Sequence, residues 1–204
     1  MERKPIEFRG SALGDLRAFP QAARRDAGFQ LDRIQCGLAP ENWKPMSGIG
    51  AGVREIRIAD ASGAFRVIYV AKFAAAVYVQ HCFQKNDAAH PRIGHRSGYA
   101  AISRISERVT AMTHKRYTSV WDAIEASPEE AQSMKLRSTL MMALQEHISS
   151  SELSQAQAAK LFGVTQPRIS NLMRGKIDLF ALDTLVNMAT AAGMRVEMRL
   201  RKVA

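Results

Sequence analysis

Ser154 to Lys176, SQAQAAKLFGVTQPRISNLMRGK, is the stretch that decides how the chain folds. It predicts a first helix from Gln155 to Phe162, with the Ser154 side chain accepting from the orphan amides of the first turn. Gly163 breaks that helix. Thr165 is placed to cap a second one, and Pro167 falls in its first turn, where a missing backbone N–H costs nothing. Ala158, Ala159, Phe162, Val164, Ile169 and Leu172 recur where two helices crossing at a wide angle around a tight turn must pack. Gly163 stands where that turn requires positive φ. The pattern is a helix-turn-helix.

The polar remainder says what such a motif is for. With Ile169 and Leu172 buried, Gln166, Arg168, Ser170, Asn171 and Arg174 stay exposed, which leaves the start of the second helix free to enter a major groove. Gln and Asn pair with adenine and Arg with guanine through two hydrogen bonds, so Gln166, Arg168 and Asn171 are the candidate base readers. Gln155, Arg174 and Lys176 are placed for phosphate, which fixes register without reading sequence. The competing reading is a small helical bundle with a solvated polar face. On these residues the stretch resembles the DNA-binding motif of the lambda and Cro-type repressors. It departs from them at Pro167, which can offer only apolar contact where they carry a polar reader.

The 204 residues can hold one ordinary domain or two small ones. Lysine and arginine number 29 against 19 acidic residues, a net charge of +10 that favours a polyanionic partner. Residues 1–111 carry a net +7 and residues 112–204 a net +3, so the more basic part is not the one with the helix-turn-helix. Cys36 and Cys82 form no CxxC pair, and both read as reduced thiols of a cytoplasmic protein. The N-terminus, MERKPIEFRGSAL, lacks the apolar core of a signal peptide, and no run approaches the roughly 18 apolar residues of a membrane helix. The five histidines, 81, 90, 95, 114 and 147, are not at metal-ligand spacing, so neither a metal nor another cofactor is expected.

In chain order, PIEFR (5–9) alternates Ile6 and Phe8 as a short strand. From Ser11 to Gly37 apolar residues recur at three- and four-residue steps, and Pro20 splits the run into a helical hairpin. A Gly- and Pro-rich loop follows. Three extended segments, 53–59, 65–73 and 76–84, then predict an antiparallel meander, with a bulge near Glu55 where the alternation of Val53, Ile56 and Ile58 fails. Two helices on an antiparallel sheet make an α+β domain.

Arg54, Arg57, Arg66, Lys72, His81 and Lys85 lie on or beside these strands. Through KPIEF, WKPM, GVREIRI, GAFRVIYVAK and HCFQK, residues 4–85 resemble the RelE/HigB superfamily of toxins, in its phage-derived HigB-like branch. The resemblance implies a ribosome-dependent mRNA endonuclease that needs no metal. Arg54, Arg57 and Arg66 would then hold phosphates, and His81 or Lys85 would do acid or base work. A merely solvated basic sheet face is the alternative.

After Lys85 the agreement stops, and residues 86–111 read as a basic linker with one short helix from Tyr99 to Val109. The toxin domain, 1–85, is thus expected to be truncated at its C-terminus. From Met112 the chain resembles a HigA-type antitoxin, and the break in pattern suggests two neighbouring reading frames joined by a frameshift. Val120, Trp121 and Ile124 mark a short helix. Ser127, Pro128 and Glu130 start a longer one that buries Met134, Leu136, Leu140, Met141, Leu144 and Ile148. Leu179, Leu182, Leu185, Val186, Met188 and Ala189 mark another. RVEMRL, 195–200, alternates as a strand whose unpaired edge implies pairing with a symmetry mate.

Residues 112–204 are therefore expected to be an all-α helix-turn-helix domain with a C-terminal strand, a homodimeric repressor of its own operator DNA. The expected whole is a toxin–antitoxin fusion with no membrane association. The rival is an active mRNA endonuclease restrained by its tethered antitoxin, and a third reading has the first half bind a separate cognate toxin.

Overall fold

The computed structural model describes residues 3–71, 74–85 and 115–199. The chain divides into Met1–Gln132 and Ser133–Ala204.

In the first unit, strand β1 (Ile6–Phe8) buries Ile6 and Phe8, as the alternation requires. Helices α1 (Ala12–Arg17) and α2 (Gln21–Gln35) are separated at Pro20, whose φ of −50° and ψ of 145° end one helix and open the next. The meander is β3 (Val53–Asp60), β4 (Gly63–Val70) and β5 (Val77–Gln84). The Gly- and Pro-rich loop contains one more strand, β2 (Trp43–Pro45), antiparallel to β3. Three residues without apolar alternation gave no signal for it. Its proline sits on an edge, where no ladder donor is missed.

The sheet is mixed rather than purely antiparallel. Its order is β2-β3-β4-β5-β1-β6, where β6 is Lys115–Tyr117, and β1 lies parallel to β5 and antiparallel to β6. The expected bulge near Glu55 is absent: β3 pairs with β4 in unbroken register, and the irregularity falls between Ile68 and Tyr69 in the β4–β5 pairing. Glu55 and Ile56 are both buried because Glu55 carries its own cationic partners, not because the strand is kinked.

The largest departure from the sequence reading concerns residues 115–125, expected at the start of a separate domain. Instead they complete the first unit. Beside β6, helix α3 (Val120–Ile124) packs on α1 and α2, with Trp121 fully buried. Gln35 donates to the carbonyls of Lys4 (2.7 Å) and Thr118 (3.0 Å) and accepts from the Val120 amide at 2.8 Å. Trp121 Nε1 donates to Asp32 Oδ2 at 3.1 Å, and Arg3 Nε holds the other oxygen of that carboxylate at 2.8 Å. Arg25 pairs with buried Glu125 at 3.1 Å, and Arg17 Nε donates to the Ala123 carbonyl at 2.8 Å. Gly28 makes room for the helix: a Cβ there would sit 2.5 Å from Ile124 Cδ1 and 2.8 Å from Trp121 Cζ3. The sheet thus continues past β5 through a segment distant in sequence. The proposed linker, with its helix from Tyr99 to Val109, and the Met112 boundary itself lie outside the described residues.

Helix α4 (Pro128–Ser150) starts as expected: the Glu130 amide donates to Ser127 Oγ at 3.3 Å, and Glu130 Oε2 accepts from the Ala126 amide at 3.3 Å. In the second unit Met134, Met141, Leu144 and Ile148 are buried, whereas Leu136 and Leu140 are half-buried. Helix α5 (Gln155–Phe162) has the bounds that the spacing predicts, and α6 (Gln166–Met173) begins directly after Thr165, as expected. Ser154 closes a capping box with Gln157, and Gly163 caps α5 at φ 64° and ψ 32°. Thr165 takes an extended N-cap backbone but makes no side-chain capping bond. A 3₁₀ turn, Ile177–Leu179, precedes α7 (Leu182–Ala191). Leu179, expected inside, is 49% exposed because it ends that turn instead of lying in the helix. Residues 194–199 form no strand. A strand needs a ladder partner, and alternation alone cannot supply one.

Trp121→Ala should cost about 3–5 kcal/mol of stability, since it opens a cavity and removes the donor to Asp32. Urea unfolding of the whole chain checks this, and a loss below about 0.5 kcal/mol would show that α3 is not part of the first unit's core.

Candidate nucleic-acid interface

In the second unit, α6 buries Ile169 and Leu172 and turns its other side outward. The Leu172 carbonyl, near the C-terminal end of α6, accepts from buried Gln145 Nε2 of α4 at 2.8 Å, which satisfies a backbone group the helix alone leaves open. Gln155, Gln166, Pro167, Ser170, Asn171 and Arg174 line one open cleft of about 360 Å³. No carboxylate lines it, so its polar groups are amides, a hydroxyl and a guanidinium, all able to donate to an anionic or acceptor-rich surface.

Six of the eight expected DNA-facing residues are brought together there. Arg168 is not among them. Its guanidinium stacks 4.3 Å above the ring of fully buried Phe180, on another side of α6. Four positions after Gln166's neighbour Pro167 lies Asn171, while Arg168 points a further step around the helix, and an aromatic partner far along the chain decides where its side chain rests. Lys176 also lies outside the cleft, with its backbone amide bonded to the Asn171 carbonyl at 3.0 Å. Arg174 Nη2 donates to Asn171 Oδ1 at 2.8 Å, a side-chain pair within the cleft that spacing alone did not reveal.

In the first unit the basic residues sort differently. Across the sheet Arg57 stands opposite Arg66 and Arg66 opposite Phe83, while Glu55 stands opposite Ile68 and Ile68 opposite His81. Alternate residues share a face, so Glu55, Arg57, Arg66 and His81 belong to one side. Glu55 Oε1 receives Arg57 Nε at 2.9 Å and Arg66 Nε at 3.4 Å, and Lys44 Nζ lies at 3.9 Å. Burial lowers the Arg66 guanidinium from its ordinary value, Glu55 opposes that change, and Arg57 adds to it. Glu55 is the residue the sequence reading missed. Its signal was present in VREIR, where a carboxylate alternates with two arginines.

Arg54 is separate from this group, with its guanidinium 4.5 Å above the Trp43 ring. His81 Nδ1 lies 3.8 Å from Asp15 Oδ2, and its ring stacks on Phe83 at 5.3 Å. Lys85 is exposed, with its amide bonded to the Ala64 carbonyl at 2.7 Å. Lys72 lies outside the described residues. Both cysteines are free thiols, and burial, reinforced by Asp15, raises Cys82 well above the ordinary range, which keeps it protonated and unreactive. Among the described residues no cluster of His, Cys, Asp or Glu could hold a metal ion.

Residues 123–201 match a family model described as a helix-turn-helix domain. A solved structure assigned as an XRE family transcriptional regulator is 33% identical over 36% of this chain and 82% of that chain, with a TM-score of 0.34. The described part of residues 123–201 thus carries the helix-turn-helix that the family model matches. The helix-turn-helix match begins at Ala123, inside α3, and so overlaps in sequence the end of the first unit. Residues 14–94 match a second family model, phage derived protein Gp49-like, which supports a toxin-related first unit. Neither model spans half of the chain. No curated protein matches it.

Glu55→Ala leaves Arg66 and Arg57 facing each other without their shared carboxylate. Because Arg57 and Lys44 remain partly solvated, the cost should be about 1–3 kcal/mol, less than for a fully buried pair, and Glu55→Gln should recover part of it. Urea midpoints of the three proteins measure this, and identical midpoints would mean the cluster is solvated and energetically idle.

Proposed function

We propose that this chain is a sequence-specific DNA-binding repressor of a toxin–antitoxin module, a HigA-like XRE-type domain fused to a HigB-like unit. The observation that carries the reading is the carboxylate-free cleft in which Gln155, Gln166, Pro167, Ser170, Asn171 and Arg174 converge on the exposed side of α6. Gln166 and Asn171 would meet base edges, Pro167 a thymine methyl, and Gln155 and Arg174 the flanking phosphates, with Lys176 beside them. The partner is double-stranded operator DNA, bound by a homodimer that spaces two recognition helices on a palindrome. The site of action is the cytoplasm. Among the described residues no helix is long and apolar enough to cross a membrane.

A gel-shift on the DNA upstream of the gene, titrated with salt, tests the reading. Phosphate contacts weaken with salt while base contacts do not, so preference for the operator over unrelated duplex should persist as affinity falls. Gln166→Ala should reduce that preference roughly tenfold, and equal affinity of the unaltered protein for every duplex would overturn the assignment.

A second reading is favoured by one observation, the gathering of Arg57, Arg66 and His81 on one face of the sheet. In it the HigB-like unit is a metal-independent mRNA endonuclease that works on the ribosome and is neutralised by its covalent antitoxin or by a separate cognate partner. The docking of residues 115–125 onto α2 supports one interlocked protein over a truncated toxin carried as a remnant. The whole chain is the proper test object, because a fragment ending at 111 lacks β6 and α3. Cleavage of translated mRNA by the whole chain, lost in Arg66→Ala, would establish this activity; no cleavage by either protein leaves repression as the function.

A further inference from the structure

Asn171 and Arg174 are three residues apart on α6 and its C-cap, where side chains are neighbours, and Arg174 Nη2 donates to Asn171 Oδ1 at 2.8 Å. Arginine has donors only, so this bond fixes which end of the carboxamide faces it: the oxygen points to Arg174 and the Nδ2 amino group is turned away. Both residues line the cleft beside Gln166 and Ser170.

An isolated asparagine reads adenine by accepting from the N6 amino group while donating to N7. Here the accepting oxygen already carries a charge-assisted bond, and an approaching adenine amino group would also meet the guanidinium, donor against donor. Guanine offers the opposite pattern, two acceptors at N7 and O6 on the major-groove edge. The Asn171 amino group and the remaining Arg174 donors match it without breaking the bond between them.

We propose that Asn171 and Arg174 act as one hydrogen-bonded reader that selects guanine at the operator position where asparagine alone would select adenine. This rests on the DNA-binding reading above and assigns Arg174 a role in specificity beyond phosphate contact.

The test is selection of binding sites from randomised duplexes by the full-length protein and by Asn171→Ala, Arg174→Ala and Arg174→Lys. The base position whose discrimination disappears in Asn171→Ala identifies the contact. At that position the unaltered protein should enrich guanine, and a change to adenine should weaken binding roughly tenfold or more. Arg174→Ala frees the carboxamide oxygen and should move the preference toward adenine, whereas Arg174→Lys, which keeps a donor for that oxygen, should retain part of the preference for guanine. Arg174 is exposed, so its variants should keep the parent's thermal midpoint. Adenine enriched by the unaltered protein, or variants at Arg174 that weaken all sites alike with no change of base, would overturn the proposal while leaving DNA binding intact. If the unaltered protein enriches no sequence at all, the DNA-binding reading falls and the proposal with it.

Discussion

The first unit depends on what two side chains of α2 do for a segment more than eighty residues away. Gln35 gives both ends of its amide to backbone groups, closing Lys4, Thr118 and Val120 around one point, and Asp32 anchors the Trp121 indole while holding Arg3. Gln35 and Asp32 are themselves buried, so each would be costly if left unpaired. Polar satisfaction and apolar burial therefore point to the same partner: Trp121 fills the space over Gly28, and its one polar atom finds the one carboxylate beneath it. Loss of either term strands the other.

Charge follows the same logic. The abundance of arginine in the first unit invites a reading as a bare basic surface, yet several of these groups already have fixed partners. Glu55 gathers Arg57 and Arg66, Glu125 takes Arg25, Asp32 takes Arg3, and Arg54 lies on Trp43. A polyanion approaching this face meets cations held in place by a buried carboxylate, at reduced net charge and with less side-chain entropy left to lose.

In the second unit buried and exposed positions are separated along one helix. Ile169 and Leu172 seat α6, Gln145 caps its end, and Arg168 is drawn onto Phe180, so the groups that remain outward keep a defined geometry. The Asn171–Arg174 bond extends that order to the polar surface itself.

The sequence by itself determined whatever is governed by local periodicity and capping. The bounds of α5, the start of α6, the side-chain cap at Ser154, the left-handed Gly163, the hairpin split at Pro20 and the three meander strands are all legible, because each depends on neighbours a few residues apart. Six of the eight candidate residues share one cleft for the same reason: they are what a helix exposes once its apolar positions are buried. Only the tertiary structure decided the rest. β2 and β6 are three residues long and carry no period, residues 195–199 of the predicted strand have no ladder partner among the described residues, and Arg168 was captured by an aromatic ring twelve residues on. Residues 115–125 belong with the first unit because the groove over Gly28 and the buried hydrogen-bonding groups of Gln35 and Asp32 lie there, and pairing of that kind depends on distance in space, which linear spacing does not encode.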